Sequence, residues 1–392
     1  VSGFVRTARR PEDLAADGAE ALAAAWGPPG AVATLVVPAD CQWGPAAGPA
    51  TPPPRPGLRP GPSETLEAAL KALPRAGRDA VLLLGGDACA APGLRAAARI
   101  AAATGCRAFV ETWPARLERG AGLPALPKLP YFPEQAVEAL AGCTDLVLAG
   151  AADPVAFFGY PDGPSRLAPE GCARHRVAGP GEDAAAALEA LADELGAAQA
   201  EPPAPPRPGT VDGPLTPDVL GRVVAALQPV GAVVVDESAT SGLPWSLHAA
   251  GAAPHLVLGL TGGAIGQGLP CAVGAALAAP DRRVLCLQAD GSGLYTLQAL
   301  WTLAREGLDV TVVVCANRAY RILQVELARA GVAEPGPKAR ALTDLGHPAP
   351  DWVALATGLG VPARRADTGE TLAEALRAAL AEPGPGLIEA VL

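Results

Sequence analysis

The chain has 392 residues, half of them hydrophobic, and carries a formal net charge of −10 from 30 Lys and Arg against 40 Asp and Glu. Single cores seldom grow beyond roughly 250–300 residues, so this length implies two or three domains, and the negative balance argues against nucleic acid as a partner. Gly, Pro, Arg or Asp breaks every apolar run short of the roughly 20 residues of a membrane span, and the first ten residues lack the apolar core of a secretory signal; the expectation is a soluble, cytoplasmic protein without a membrane partner.

Residues 1–44 offer one helical stretch, residues 11–26, and one apolar strand, residues 31–37 (AVATLVV), which read as the end of an α/β domain. The chain begins at Val1 and contains no Met, so the earlier part of that domain is expected upstream. Residues 45–62 (PAAGPATPPPRPGLRPGP) and 199–214 are Pro-rich and read as extended linkers. Between them, residues 63–198 run from an amphipathic helix through strands at residues 80–84, 107–111 and 146–149, with a helix over residues 91–104. This is a Rossmann-like pattern without a G-x-G-x-x-G turn, so a nicotinamide or flavin site lacks sequence support and a structural role is expected.

Residues 215–392 alternate helix and strand: a helix over 217–227, a strand over 232–236, a helix over 265–278, strands over 283–289 and 310–316 with a helix over 294–306 between them, and a last strand over 386–391. The fold class expected is α/β, with doubly wound, mostly parallel sheets. The strand RVLCLQA ends at Asp290 and the strand VTVVVCA ends at Asn317, 27 positions later. If a crossover helix makes these strands parallel neighbours, both polar residues emerge at adjacent carboxyl ends, where open α/β sheets bind ligands. One carboxylate, one amide oxygen and a diphosphate suit the octahedral oxygen shell of Mg²⁺.

Three further stretches accompany this pair. Asp236-Glu237-Ser238-Ala239-Thr240-Ser241 follows a strand directly, and its hydroxyls (Ser238, Thr240, Ser241) and amides can hold phosphate oxygens. Gly262-Gly263-Ala264-Ile265-Gly266-Gln267-Gly268-Leu269-Pro270 leads into a Gly- and Ala-rich helix. Gly291, Ser292 and a helix start at Leu294 offer amides and a positive dipole end to an anion.

In this order and spacing the chain resembles the thiamine-diphosphate-dependent enzymes, nearest to their acetolactate synthase and benzoylformate decarboxylase branch. Ala289 and Ala316 stand where that signature has Gly and Asn, while Asp290 and Asn317 keep the two metal-ligand positions. The resemblance implies thiamine diphosphate and Mg²⁺ as cofactors, with Asp290, Asn317 and the Ala319 carbonyl on the ion, and Ser238, Thr240, Ser241, Gly291 and Ser292 at the diphosphate. It implies that the segment with Gly263, Ala264 and Ile265 lies against the rings, the Gly263 carbonyl accepting from the 4'-amino group and Ile265 wedging beneath the thiazolium. Tyr320 and Leu323 are expected on the substrate side.

The resemblance further implies a small 2-oxo acid substrate, decarboxylation or carboligation, and a homodimer or homotetramer. Residues 1–44 then correspond to the end of the pyrimidine-binding domain, 63–198 to the central domain and 215–392 to the diphosphate-binding domain, and the activating glutamate of the family is expected upstream of Val1. Phe158 occupies the place of the relay histidine of benzoylformate decarboxylases, and His175, His248, His255 and His347 are expected to be structural. The eight cysteines follow no metal or disulfide spacing. Competing readings are a non-catalytic thiamine-diphosphate-binding or interaction protein, and a nicotinamide dehydrogenase.

Overall fold

The computed structural model describes residues 2–27, 30–61, 63–161, 163–199 and 205–392. Pro62 and residues 200–204, which fall within the two Pro-rich stretches, lie outside the described residues. The chain divides into two units, Val1–Thr112 with Leu126–Gln199, and Trp113–Ala125 with Ala200–Leu392.

Unit one opens with strand β1 (Phe4–Thr7) paired in parallel with β2 (Ala33–Val36), joined through the helix Leu14–Trp26. β1 was not expected from the sequence, because FVRT is a short run with alternating half-burial and no continuous apolar signal. β3 (Ala80–Leu84) follows, buried at every position, and then the helix Ala91–Thr104, ended by Gly105 with φ 77°. β4 (Arg107–Val110) comes next, and the chain then leaves for unit two, where β5 is Arg116–Arg119. It returns to supply β6 (Asp145–Ala149) and β7 (Ala173–Ala178), giving a four-stranded parallel sheet in the order β4-β3-β6-β7.

Within the stretch 63–198, Trp113–Ala125 groups with unit two. Its strand RLER carries no apolar run; β5 is held by antiparallel pairing with β9, a contact too distant in sequence for local pattern to reveal.

Unit two contains β8 (Val233–Glu237), β9 (His255–Gly259), β10 (Val284–Ala289), β11 (Val310–Ala316), β12 (Ala363–Ala366) and β13 (Gly386–Val391). They form one sheet with β5 in the order β12-β13-β11-β10-β8-β9-β5, parallel except for the β5 edge. Every residue of β11 is buried, as are the first five of β10. Parallel strands covered on both faces read as continuous hydrophobic runs, which is why VLCLQA and VTVVVCA were legible as strands. On one face, helices Gly268–Ala278, Ala299–Glu306 and Trp352–Gly358 pack Leu269, Leu300, Leu303 and Trp352 onto Val235, Cys286 and Val312. Helix Gly369–Ala381 lies against β11, β12 and β13.

Two helix boundaries differ from expectation. Helix 265–278 begins at Gly268, because Gly262, Gly263 and Gly266 adopt φ of 64°, 65° and 90°, a left-handed path that an α-helix cannot follow. The helix expected over 294–306 begins only at Ala299 and ends at Glu306, and a separate four-residue helical turn, Asp290–Gly293, precedes it. The two glycines of that turn are poor helix formers, and both are held close to large rings: a Cβ on Gly293 would lie 2.8 Å from the Trp352 ring.

Candidate cofactor site

Chain direction places the candidate residues together. β8 is followed by β9 on one side and by β10 on the other, so the order of strands reverses between β8 and β10. The carboxyl ends flanking such a reversal form the ligand crevice of open α/β sheets. Glu237 to Ser241, Asp290 and Asn317 all lie at these ends, and Ala289 pairs in register with Cys315.

Asp290 is 2% exposed. Its Oδ1 accepts from the Gly291 amide at 2.8 Å and its Oδ2 from the Arg318 amide at 2.6 Å. Burial pushes its pKa above the ordinary carboxylate value, against the lowering effect of those two amides. Among the described residues no cationic side chain forms an ion pair with it. Arg318 lowers the Asp290 pKa through its charge but forms no ion pair with it; a buried carboxylate so weakly compensated is costly, so this position suits a bound cation.

Asn317 stands half-buried beside it. Its Oδ1 accepts from the Ala319 amide at 3.0 Å and its Nδ2 donates to Ser241 Oγ at 3.4 Å. The Ser241 contact ties the turn after β8 to the end of β11. Ala239 (φ 50°) and Arg318 (φ 54°) are the non-glycine residues with positive φ among the described residues, and both border this crevice. Left-handed backbone at such residues costs about 1–3 kcal/mol and is concentrated at functional sites.

The other candidates lie in three segments. Thr240 and Ser241 lie in the turn beside Asn317, Gly291 and Ser292 in the turn opened by Asp290, and Gly263, Ala264 and Ile265 in the loop before Gly268, with the Ile265 side chain 48% exposed. Several hydroxyls and amides, however, are turned inward. Ser238 donates to Asp236 Oδ1, the Gly291 amide is taken by Asp290, and Ser292 Oγ accepts from Gln288 Nε2 at 2.7 Å while donating to the Ala289 carbonyl at 3.3 Å. What Gly291 offers is space: a Cβ there would lie 2.5 Å from Tyr320 Cε1. Tyr320 therefore packs on the Asp290 turn, while Leu323 is 49% exposed.

No histidine joins this group. His175 pairs with Asp145 in unit one, His248 with Asp218 and His347 with Asp344. His255 is buried with Nδ1 2.8 Å from the Ala253 carbonyl oxygen, and burial lowers its pKa to about 4. Cys286 and Cys315 sit within the two strands with thiol pKa values driven far up by burial, as small core residues do. Among the described residues no three His, Cys, Asp or Glu side chains gather as a metal cluster, and no helix is long and apolar enough to cross a membrane.

Sequence reasoning gave Glu237 no role of its own and did not single out Gln288; they are 2% and 0% exposed. Gln288 could have been found: an amide side chain in an otherwise apolar strand must have buried partners.

Comparison with known proteins agrees with the geometry. Residues 245–390 match the family model described as thiamine pyrophosphate enzyme, C-terminal TPP binding domain. The whole chain is 51% identical, across 76% of the relative's length, to the Mycobacterium tuberculosis protein IlvX, provisionally named an acetolactate synthase large subunit. Over 53% of the chain and 39% of the relative, it is 37% identical to a benzoylformate decarboxylase of Pseudomonas aeruginosa. In fold, the chain aligns over its full length with 76% of the solved thiamine-diphosphate-dependent 4-hydroxybenzoylformate decarboxylase of Rhodococcus jostii RHA1, at TM-score 0.79 and 24% identity. The chain belongs to the thiamine-diphosphate-dependent enzyme family.

Proposed function

We propose that the protein is a thiamine-diphosphate- and Mg²⁺-dependent decarboxylase or carboligase of small 2-oxo acids, related in activity to acetolactate synthases and benzoylformate decarboxylases. The observation that carries this reading is the buried Asp290 carboxylate, without an ion pair among the described residues, beside Asn317 at the strand-order reversal. Mg²⁺ takes oxygen ligands and keeps part of its shell for phosphate oxygens and water. The Asp290 carboxylate, the Asn317 amide oxygen and the Ala319 carbonyl supply the protein's share. Asn317 Nδ2 donates to Ser241 Oγ while Oδ1 accepts from the Ala319 amide, and these opposed bonds fix which way the Asn317 amide points.

In this reading Thr240, Ser241 and the Asp290–Gly293 turn would face the diphosphate oxygens, with the Gly291 amide already held by Asp290. In the same reading the Gly263 carbonyl and the Ile265 side chain, which is exposed, would face the ring system. When bound, thiamine diphosphate supplies a carbanion that adds to the substrate carbonyl and accepts the electrons released with CO₂. The protein's own part is to anchor the metal, hold the ring geometry and exclude water.

Domain roles follow the same proposal: residues 215–392 bind the diphosphate, residues 63–198 form the central domain, and the working form is a homodimer or homotetramer. Exposed apolar side chains on unit two, including Leu277 at 58% and Trp301 at 50%, support a self-associating surface. The test is calorimetry of thiamine diphosphate with and without Mg²⁺ on the chain and on Asp290→Ala. A loss of about 100-fold or more is expected for the variant, within the range that removing a buried charged partner produces. Unchanged affinity removes the metal assignment, and release of CO₂ from pyruvate or benzoylformate distinguishes an enzyme from a binding protein.

A further inference from the structure

Glu237 and Gln288 face each other in register, as the last paired residues of neighbouring strands β8 and β10. Each reaches toward a different part of the site. Glu237 Oε1 accepts from the Gly266 amide at 2.6 Å, and Oε2 accepts from the Gly268 amide. Gln288 Nε2 donates to Ser292 Oγ at 2.7 Å and to the Ala289 carbonyl at 3.3 Å. Gly268 is wedged between them: a Cβ there would lie 2.3 Å from Gln288 Oε1 and 3.0 Å from Glu237 Oε2. A second tie, Thr296 Oγ1 to the Gly266 carbonyl at 2.9 Å, closes the loop from its other side.

The chemistry of the two side chains fits this division. A carboxylate has two acceptor oxygens and no donor, so it can serve two buried amides at once, with charge-assisted strength. An amide side chain at position 237 would turn an NH₂ toward one of those N–H groups. At position 288 the reverse holds: the Ser292 hydroxyl needs a donor, because its own proton goes to the Ala289 carbonyl. Glutamine supplies that donor.

We infer that Glu237 and Gln288 are a buried pair of positioning residues that holds the glycine-rich loop, residues 262–268, and the Asp290–Gly293 turn in one fixed relation. This rests on the thiamine-diphosphate reading: the loop would face the rings and the turn the diphosphate, so the pair sets the spacing at which both ends of one ligand engage. Glu237 governs the ring end and Gln288 the diphosphate end. Gly268 can lie against both side chains because it has none of its own.

The test combines hydrogen exchange on the ligand-free chain with calorimetry, in the presence of Mg²⁺, of thiamine diphosphate and of inorganic diphosphate. In Glu237→Gln, amides of residues 262–268 should exchange about 10-fold faster, the loss expected for one buried charge-assisted hydrogen bond, while the β10 and β11 amides stay protected. Thiamine diphosphate should bind about 10-fold more weakly, with inorganic diphosphate unchanged. Gln288→Leu should weaken both ligands. Glu237→Asp, which keeps the charge with a shorter reach, should fall between wild type and Glu237→Gln.

Unchanged loop exchange in both position-237 variants overturns the inference. So does faster exchange across the whole sheet with equal loss of both ligands, since that is the mark of a merely structural role. Full diphosphate affinity in Gln288→Leu overturns the Gln288 assignment. Failure of the unaltered chain to bind thiamine diphosphate would count against the proposed function instead, and the ligand-free exchange would still decide whether Glu237 clamps the loop.

Discussion

Replacing Gly291 by alanine sets two physical effects against each other. The residue lies in a helical turn, where alanine is the better helix former by about 1 kcal/mol. Sterics oppose this, because the new Cβ would lie 2.5 Å from Tyr320 Cε1, 2.8 Å from Cδ1 and 3.2 Å from Leu345 Cδ1. Carbon atoms in contact sit about 3.5–4.0 Å apart, so the ring must withdraw by about 1 Å. The Tyr320 backbone is held by its amide, which donates to the Thr343 carbonyl at 2.9 Å, so the ring withdraws by rotating about its side-chain bonds. Overpacking of this kind costs about 1–3 kcal/mol, which exceeds the propensity gain at all but the lower end. The unit-two transition should fall by roughly 2–8 °C in a thermal melt, and Mg²⁺-dependent thiamine diphosphate binding should weaken as the turn is displaced. Gly291→Ala combined with Tyr320→Ala should be no less stable than Tyr320→Ala alone, because the overlap is gone. A Gly291→Ala chain that melts at or above the wild-type temperature and binds normally would refute this packing argument.

Three other outcomes are expected. Burial raises the Asp290 pKa, so the ligand-free chain gains stability from this group when the carboxyl is protonated, below its unfolded value, and loses that gain as pH rises through the raised folded value; Mg²⁺-dependent affinity should fall as pH is lowered through the same raised value, and calorimetry across pH 4–7 on wild type and Asp290→Asn should show the slope only in the former. Asp145 behaves oppositely. Burial raises its pKa, but hydrogen bonds from His175, Thr144 and Arg75 outweigh burial and leave it lowered. Its contribution is present above the unfolded carboxylate value and is lost as pH falls through the lowered folded one, so acid titration of unit one should be shallower in Asp145→Asn, and identical curves would contradict the network. Cys286 and Cys315 are fully buried with strongly raised thiol pKa values, so mass spectrometry should find them unalkylated in the native chain at pH 8 and labelled after unfolding; labelling at the rate of an exposed thiol would contradict their burial.

Much of unit two was legible because its chemistry sits where local pattern is strongest. The runs ending at Asp290 and Asn317 are covered on both faces, so their hydrophobicity marks them as parallel strands without knowledge of neighbours. Helices Pro217–Leu227 and Ala91–Thr104 were equally visible, having Pro in the first turn and apolar spacing of helical period. The order of motifs along the chain carried the family resemblance, and the family followed from residues alone.

What the tertiary structure decided depends on groups far apart in sequence. β5 has no apolar pattern, and only its pairing with β9 makes it a strand. The glycine-rich loop escapes helical geometry because three glycines take left-handed dihedrals while Glu237, some 30 residues earlier, holds two of its amides. The Ser292 hydroxyl is engaged by Gln288 and that of Ser238 by Asp236, contacts that the motifs alone did not disclose. Residue types and their spacing along the chain determine which elements form and where polar groups emerge. Which of those groups remain free for a ligand is settled by competition among buried donors and acceptors, and that competition exists only once the strands are side by side.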